Sequence, residues 1–387
     1  MQSHIKLNSV AIALTERCNL QCHHCGSIVE EFSNLIGQSE LSRATLQKIF
    51  TEVKKLGAET IILSGGEPLL YKDLVAVLND LHRCDLSCGL FTNGTLLTKA
   101  VLKTLTATGA LSFLRFSVEY SQGDTVKPTQ NCRITSEVFE RITMANSFGI
   151  PSGVNMVLLP DNLNYALQLA EEAKNAGAHF FRVVPLLPAG RGKGIVLSPT
   201  FFAECMEVAF SLQQKYGPKS TGTFSVSKGM FHNAGNAFVT SCGGGSKTIS
   251  ISADGRAHIC PMIDLGNAVN VTDTPIKECL KILKRRRAYL QKKIMAQKGS
   301  ACRKCIVVDR CRGGCLAEWM ARGETGGQPN CYRRNWRLAA KKFPFDKKMG
   351  DVVSSLINTY DLIKTFNGPV PCYRSLPFWS VHFKSDA

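Results

Sequence analysis

No stretch of this 387-residue chain holds the ~18 uninterrupted apolar residues that a membrane helix requires, so a helical membrane span is excluded. A secretory pattern is missing as well. The apolar run from Val10 to Leu14 is too short for a signal core, and Glu16 and Arg17 follow it at once. The protein is therefore expected in the cytoplasm. No internal repeat is visible. Charged residues make up only 20% against 44% apolar ones, a balance that excludes disorder and describes a globular chain of two or three domains.

Acidic residues are in short supply: 30 Asp and Glu face 47 Lys and Arg, a formal net charge of +17. The densest basic runs are Lys284 to Arg287, Lys292 with Lys293, Arg333 with Arg334 and Lys341 with Lys342, all in the second half. A basic surface attracts nucleic acid or acidic peptides. Solvated helix faces explain such runs more often, and nucleic acid is not an expected partner.

Cysteine is what the chain has in excess, 16 in all. In a reducing compartment these are not read as a disulfide framework. Cys84, Cys88, Cys132, Cys205, Cys279 and Cys372 are scattered and expected mostly as small buried hydrophobes. The other ten fall into two spaced groups. Cys18, Cys22 and Cys25 stand as C-x3-C-x2-C in TERCNLQCHHCGS. Iron–sulfur clusters are usually held by four thiolates. Three thiolates on one loop can ligate three irons of a [4Fe–4S] cluster and leave the fourth open to another ligand. A structural zinc loop, or a chance spacing of buried thiols, is the alternative at this point. Any metal–thiolate centres add negative charge that the formal count omits.

From Val10 to about Pro185, short apolar runs alternate with amphipathic stretches. The runs are Val10–Thr15, Thr60–Ser64, Leu86–Thr92, Phe113–Glu119, Gly153–Leu159 and Phe180–Leu186. One helical pattern begins near Ser42 and keeps Leu46, Ile49, Phe50, Val53 and Leu56 on one face. Others run from about Ser136 to Ser147, from Leu163 to Ala176 with Gly177 as its cap, and from about Thr200 to Tyr216. Fully apolar strands alternating with helices predict a parallel sheet with helices outside, and six repeats suit a partial (β/α)6 barrel of α/β class. In such folds chemistry sits at the C-terminal ends of the strands. The first cysteine loop and the segment Gly65-Gly66-Glu67-Pro68 follow the first and second strands, where a site belongs. The two glycines let backbone approach a ligand closely, and Glu67 can accept hydrogen bonds from an ammonium group. A Gly-rich segment from Gly190 to Ser198 closes this region. From Cys242 the character changes to short strands, a basic helix near Ile276 to Ala296 and dense cysteine. The domain boundary is placed between residues 220 and 240, giving a barrel over 1–235, a Cys-rich domain over 236–340 and a tail over 341–387.

The cysteine loop after strand one and GGEP after strand two resemble the radical S-adenosylmethionine superfamily. The resemblance implies that the open iron binds the methionine amine and carboxylate of S-adenosylmethionine, with Gly65, Gly66 and Glu67 at the amine. One electron from the cluster would then cleave the S–C5′ bond to a 5′-deoxyadenosyl radical, making Cys18, Cys22 and Cys25 the catalytic cluster ligands. It further implies a ribose contact at Ser117 and a carboxylate contact at Arg133, with weaker candidates at Asn93 and Asn155. Glu119 stands where relatives often have Asp. His24 is expected to pack near the adenine, and PLLPAGRG after strand six resembles the adenine-side loop without an assignable residue.

The second group runs Cys242-x12-Gly255-x4-Cys260, then Cys302-x2-Cys305-x5-Cys311-x3-Cys315, then Cys331. These intervals match the SPASM pattern, which houses two auxiliary [4Fe–4S] clusters; a zinc ribbon is the alternative. The resemblance covers about residues 10 to 335. It implies an outer cluster on Cys302, Cys305, Cys311 and Cys331, and an inner one on Cys242, Cys260 and Cys315. Asn236 stands where some relatives supply an eighth Cys, which leaves the inner cluster with an open iron or a ligand from elsewhere such as Cys372. The expected function is hydrogen abstraction from a peptide or protein, giving an oxidised or cross-linked product. A dehydrogenase or decarboxylase acting on a small molecule or cofactor precursor is the alternative. Expected partners are S-adenosylmethionine, three [4Fe–4S] clusters and a flavodoxin- or ferredoxin-type reductant. Because the barrel begins within ten residues of the start, a separate leader-binding protein is also expected.

Overall fold

Helix α1 (Arg43–Lys55) shows how the chain builds its layers. Ser42 caps its N-terminus by accepting from the Thr45 amide, and Leu46, Ile49, Phe50 and Val53 are buried along one face. Gly57, at φ 83, ends it in the left-handed turn that glycine adopts without strain. Each such buried apolar side chain contributes about 1.5–3 kcal/mol, and that burial presses α1 onto the sheet.

The computed structural model describes residues 7–26, 39–118, 135–216, 225–227, 243–262, 269–296 and 315–321. The remaining strands and helices are β1 (Ser9–Ala13), β2 (Thr60–Ser64), α2 (Leu74–Arg83), β3 (Ser87–Thr92), α3 (Lys99–Ala107), β4 (Leu111–Val118), α4 (Thr135–Ser147), β5 (Ser152–Leu158), α5 (Ala166–Asn175), β6 (Phe180–Pro185), α6 (Phe201–Tyr216), β7 (Ser225–Ser227), β8 (Thr248–Ile251), β9 (Arg256–His258), β10 (Val269–Asn270), α7 (Ile276–Ala296) and α8 (Leu316–Ala321). The six expected strands and the helices between them are all present. A short 3-10 turn, Leu163–Tyr165, opens what the periodicity reads as one helix before α5.

The sheet order is β10-β9-β8-β1-β2-β3-β4-β5-β6-β7. Strands β1 to β6 pair in parallel as a partial barrel. The sheet extends further at both edges: β7 pairs in parallel with β6, and β8 pairs in parallel with β1. Thus β8, which begins the Cys-rich half, continues the barrel's own sheet, and β9 and β10 follow as an antiparallel meander. Along each barrel strand, alternate residues such as Ile12, Leu63, Leu90, Phe116, Met156 and Val183 join the core under the helices. Their neighbours face the barrel interior.

Helix α7 is docked from the outside. Ile276 N donates to Glu52 Oε2 (2.6 Å), and Lys48 Nζ reaches Thr272 O (2.9 Å). In its basic run Lys284 and Arg285 are exposed, as expected. Arg287 departs from that expectation: it is buried and donates to Gly244 O (2.9 Å) and Ser246 Oγ (3.1 Å). Cys88, Cys205 and Cys279 are buried as expected, and Cys84 packs half-buried at the core's edge. Cys132 and Cys372 lie outside the described residues. Among those described, no helix is long and apolar enough to cross a membrane.

Candidate active site

Past the end of β1 the chain runs Leu14-Thr15-Glu16-Arg17 into the cysteine loop, and the loop after β2 lies directly against it. Gly66 N donates to Thr15 O and Glu67 N to Arg17 O, both at 2.8 Å. The glycines are required by this contact. A Cβ on Gly65, at φ 147, would stand 2.4 Å from Thr15 O, and one on Gly66 would stand 2.3 Å from Arg17 O. Their smallness therefore brings backbone against backbone, placing Cys18 one residue beyond the contact. Arg17 fixes the same stretch by donating to Glu40 Oε1 through Nε (2.8 Å) and to Leu70 O through Nη2 (2.9 Å).

Glu67 has no exposed surface, and its carboxylate is held by its own chain. Oε1 accepts from Thr92 Oγ1 (2.6 Å) and Leu69 N (3.1 Å), and Oε2 accepts from Asn93 N (2.8 Å). Asn93 then donates through Nδ2 to Asn19 Oδ1 (3.0 Å), and Asn19 donates back to Thr95 Oγ1 (2.8 Å). The loops after β1, β2 and β3 are thereby cross-linked around Cys18. Asn93 is part of this brace, and Asn19 and Thr92 join it without any signal in the spacing that foretold them.

Cys18 is exposed, while Cys22 and Cys25 are half-buried, and Cys25 N bonds Cys22 O (3.1 Å) to close a turn. Desolvation raises the Cys18 thiol above its ordinary value, and the nearby Glu67 carboxylate and Cys25 add to this. A metal centre must displace that proton to bind. His24 meets His23 edge-on at 5.3 Å. Burial first, then His23 and Arg191, push it down to about 4, so its ring is neutral at physiological pH. Among the described residues no three His, Cys, Asp or Glu side chains gather as ligands of a single ion. A cubane asks for a different arrangement, one thiolate per iron. Three thiols on one braced loop beside two glycines fit that group.

Across the barrel, registered pairs set Ser117 opposite Asn155 and Asn155 opposite Arg182, a polar row on the inward faces of β4, β5 and β6. Two of the residues singled out from sequence, Ser117 and Asn155, are thus brought together. Arg115 and Arg182 were not anticipated, although a charge at an inward position of FLRFSVE and FFRVVPL was visible. Both guanidinium groups are buried. Arg115 stacks on Phe91 at 4.3 Å and Phe180 at 5.3 Å. Burial lowers both pKa values, that of Arg182 to about 10; Arg182 lowers Arg115 further, while Cys260 partly offsets the shift of Arg182.

Cys260 and Cys315 both pack half-buried against one small cluster of Leu187, Ile294, Leu316 and Ala317. The adjoining segment touches the first loop: a Cβ on Gly26 would stand 2.6 Å from Met262 Cε. Arg133, Glu119, Asn236, Cys242, Cys302, Cys305, Cys311 and Cys331 lie outside the described residues.

Residues 12–173 match the model of the Radical SAM superfamily. That stretch is a Radical SAM domain, and that family's machinery is S-adenosylmethionine with a [4Fe–4S] cluster. It is 26% identical over 289 residues to the AdoMet-dependent heme synthase of Methanosarcina barkeri, covering 70% of this chain and 80% of that protein. It is 28% identical over 311 residues to the GTP 3′,8-cyclase of Aquifex aeolicus, covering 76% and 94%. In fold it is similar to native anSMEcpe with bound AdoMet and a peptide, at a TM-score of 0.65 and 17% identity, over 90% of this chain and 99% of that one.

Proposed function

We propose that this enzyme abstracts hydrogen from carbon in a peptide or protein substrate, giving an oxidised or cross-linked product. The observation that carries the reading is the cysteine loop, held at Thr15, Arg17 and Asn19 by the loops after β2 and β3, with all three thiols at the barrel's C-terminal mouth. Cys18, Cys22 and Cys25 would hold the cluster. The backbone of Gly65 to Glu67, with Ser117, Asn155 and Arg133, would hold S-adenosylmethionine, and neutral His24 would pack near its adenine. With both groups bound, the site supplies a carbon-centred radical, chemistry no side chain provides. The chain's own residues place it: the Glu67 carboxylate keeps the three loops in register, and the row Ser117–Asn155–Arg182 faces the substrate space.

The reading extends to a SPASM domain over residues 236–340 with two auxiliary [4Fe–4S] clusters. Cys242, Cys260 and Cys315 would hold the inner one, and Cys302, Cys305, Cys311 and Cys331 the outer. The shared packing of Cys260 and Cys315, 55 positions apart, supports the inner assignment. The end-to-end likeness in fold to anSMEcpe, seen with a peptide, supports the substrate class. A flavodoxin- or ferredoxin-type reductant, a separate leader-binding protein and a cytoplasmic location complete the proposal.

A second reading, a small-molecule or cofactor-precursor substrate, is favoured by the heme synthase and GTP cyclase among the relatives. The two are separated by 5′-deoxyadenosine formation in anaerobically reconstituted protein challenged with peptide and small-molecule fractions of host extract. Stimulation by the peptide fraction, lost after protease treatment, is expected. Stimulation by the small-molecule fraction alone refutes the peptide reading.

A further inference from the structure

The turn after β6 reaches back to the cysteine loop. Gly190, at φ 54, turns the chain into a 3-10 segment, Gly190–Gly194, and Arg191 there makes two contacts with one ligand loop. Its main-chain N donates to Cys25 O (3.0 Å), and its Nε donates to Cys22 O (2.7 Å). The fit is close on the next residue as well: a Cβ on Gly192 would stand 3.2 Å from Leu187 O and 3.4 Å from His24 O. Two of the three cysteines are therefore held through their carbonyls by one distant residue, 169 positions from Cys22, and that residue carries a guanidinium.

We propose that Arg191 is a positioning residue for the [4Fe–4S] centre, holding Cys22 and Cys25 in their ligating turn and setting the centre's reduction potential with its charge. The inference rests on Cys18, Cys22 and Cys25 being the ligands. One-electron reduction adds negative charge to a centre already carrying three thiolates. A fixed cation on the ligand loop favours the reduced state, and net charge, hydrogen bonding and exposure are what set such potentials. The guanidinium is exposed, so its effect is weakened by salt.

The test is a redox titration of wild type, Arg191→Lys and Arg191→Gln, following the reduced-cluster EPR signal that changes on adding S-adenosylmethionine. Arg191→Gln is expected to lower the reduced-to-oxidised ratio at fixed potential about tenfold, a midpoint shift of about 59 mV to the negative side for one electron. Arg191→Lys, which keeps the charge, is expected to stay near wild type. In iron-free protein, amides of residues 18–26 are expected to exchange several-fold faster in Arg191→Gln, a readout independent of turnover. An Arg191→Gln midpoint and exchange pattern equal to wild type would overturn the proposal. A wild-type protein with no S-adenosylmethionine-responsive signal would overturn the ligand assignment, and this inference with it.

Discussion

Removing the Glu67 side chain should destabilise the protein before any cofactor is bound. The carboxylate accepts from Thr92 Oγ1, Leu69 N and Asn93 N, and it has no exposed surface. The Thr92 hydroxyl is itself committed, because its oxygen accepts from Gly94 N (2.8 Å) while its proton goes to Glu67. Hydrogen bonds to a charged group contribute about 1.5–3 kcal/mol each, reduced here by the cost of burying the carboxylate. Leu69 and Asn93 are half-buried, so water can replace part of what their amides lose; Thr92 is sealed. Glu67→Ala should therefore cost about 3–5 kcal/mol, at the upper end for single substitutions. Glu67→Gln keeps the oxygen facing Thr92 and Leu69 but turns an amide donor toward Asn93 N, and should cost about 1–3 kcal/mol. Urea unfolding of iron-free protein measures this without ligand linkage, and the slope should stay constant. A Glu67→Ala midpoint equal to wild type would falsify the brace and leave the carboxylate with a purely ligand-facing role.

Other outcomes follow from the same geometry. Gly66→Ala must push its Cβ into Arg17 O; a loss of about 1–3 kcal/mol and reduced iron uptake by the first loop are expected, checked by unfolding and iron analysis. Cys22→Ala should lose all S-adenosylmethionine cleavage, whereas Cys311→Ala should keep some uncoupled cleavage but yield no product; full cleavage by Cys22→Ala would sink the ligand assignment. Asp80, buried on α2, accepts from Arg43 at 2.7 and 2.9 Å, Gln47 and Arg83, and the Arg43 hydrogen bonds hold its carboxyl below the usual range against the opposing effect of burial. A lowered folded pKa means stability present above the ordinary carboxylate pKa and lost as pH falls through the folded value. The stability gap between wild type and Asp80→Asn should be full at neutral pH and close below about pH 4; a gap that persists at about pH 2 would show that the ion pair is not its source.

What the sequence determined by itself is what depends on neighbours along the chain. Periodicity placed β1 to β6 within a residue or two and marked the helices near Ser42, Ser136, Leu163 and Thr200, because each strand or helix buries one face and the pattern repeats at 2 or 3.6 residues. The spacing of Cys18, Cys22 and Cys25 was legible because one loop must supply all three thiols. Tertiary structure alone decided the rest. Arg191 meets Cys22 across 169 positions, Asn93 meets Asn19 across 74, and β8 joins β1 from beyond the expected boundary. None of these leaves a periodic trace, because such contacts are selected by which strand ends the curved sheet brings to one rim. The glycines gain a second role for the same reason. Gly65 and Gly66 read as room for a ligand, and the space a side chain would fill is also taken by the carbonyls of Thr15 and Arg17. Spacing names the donors a chain can offer, and only the packing of the strand ends decides which of them meet.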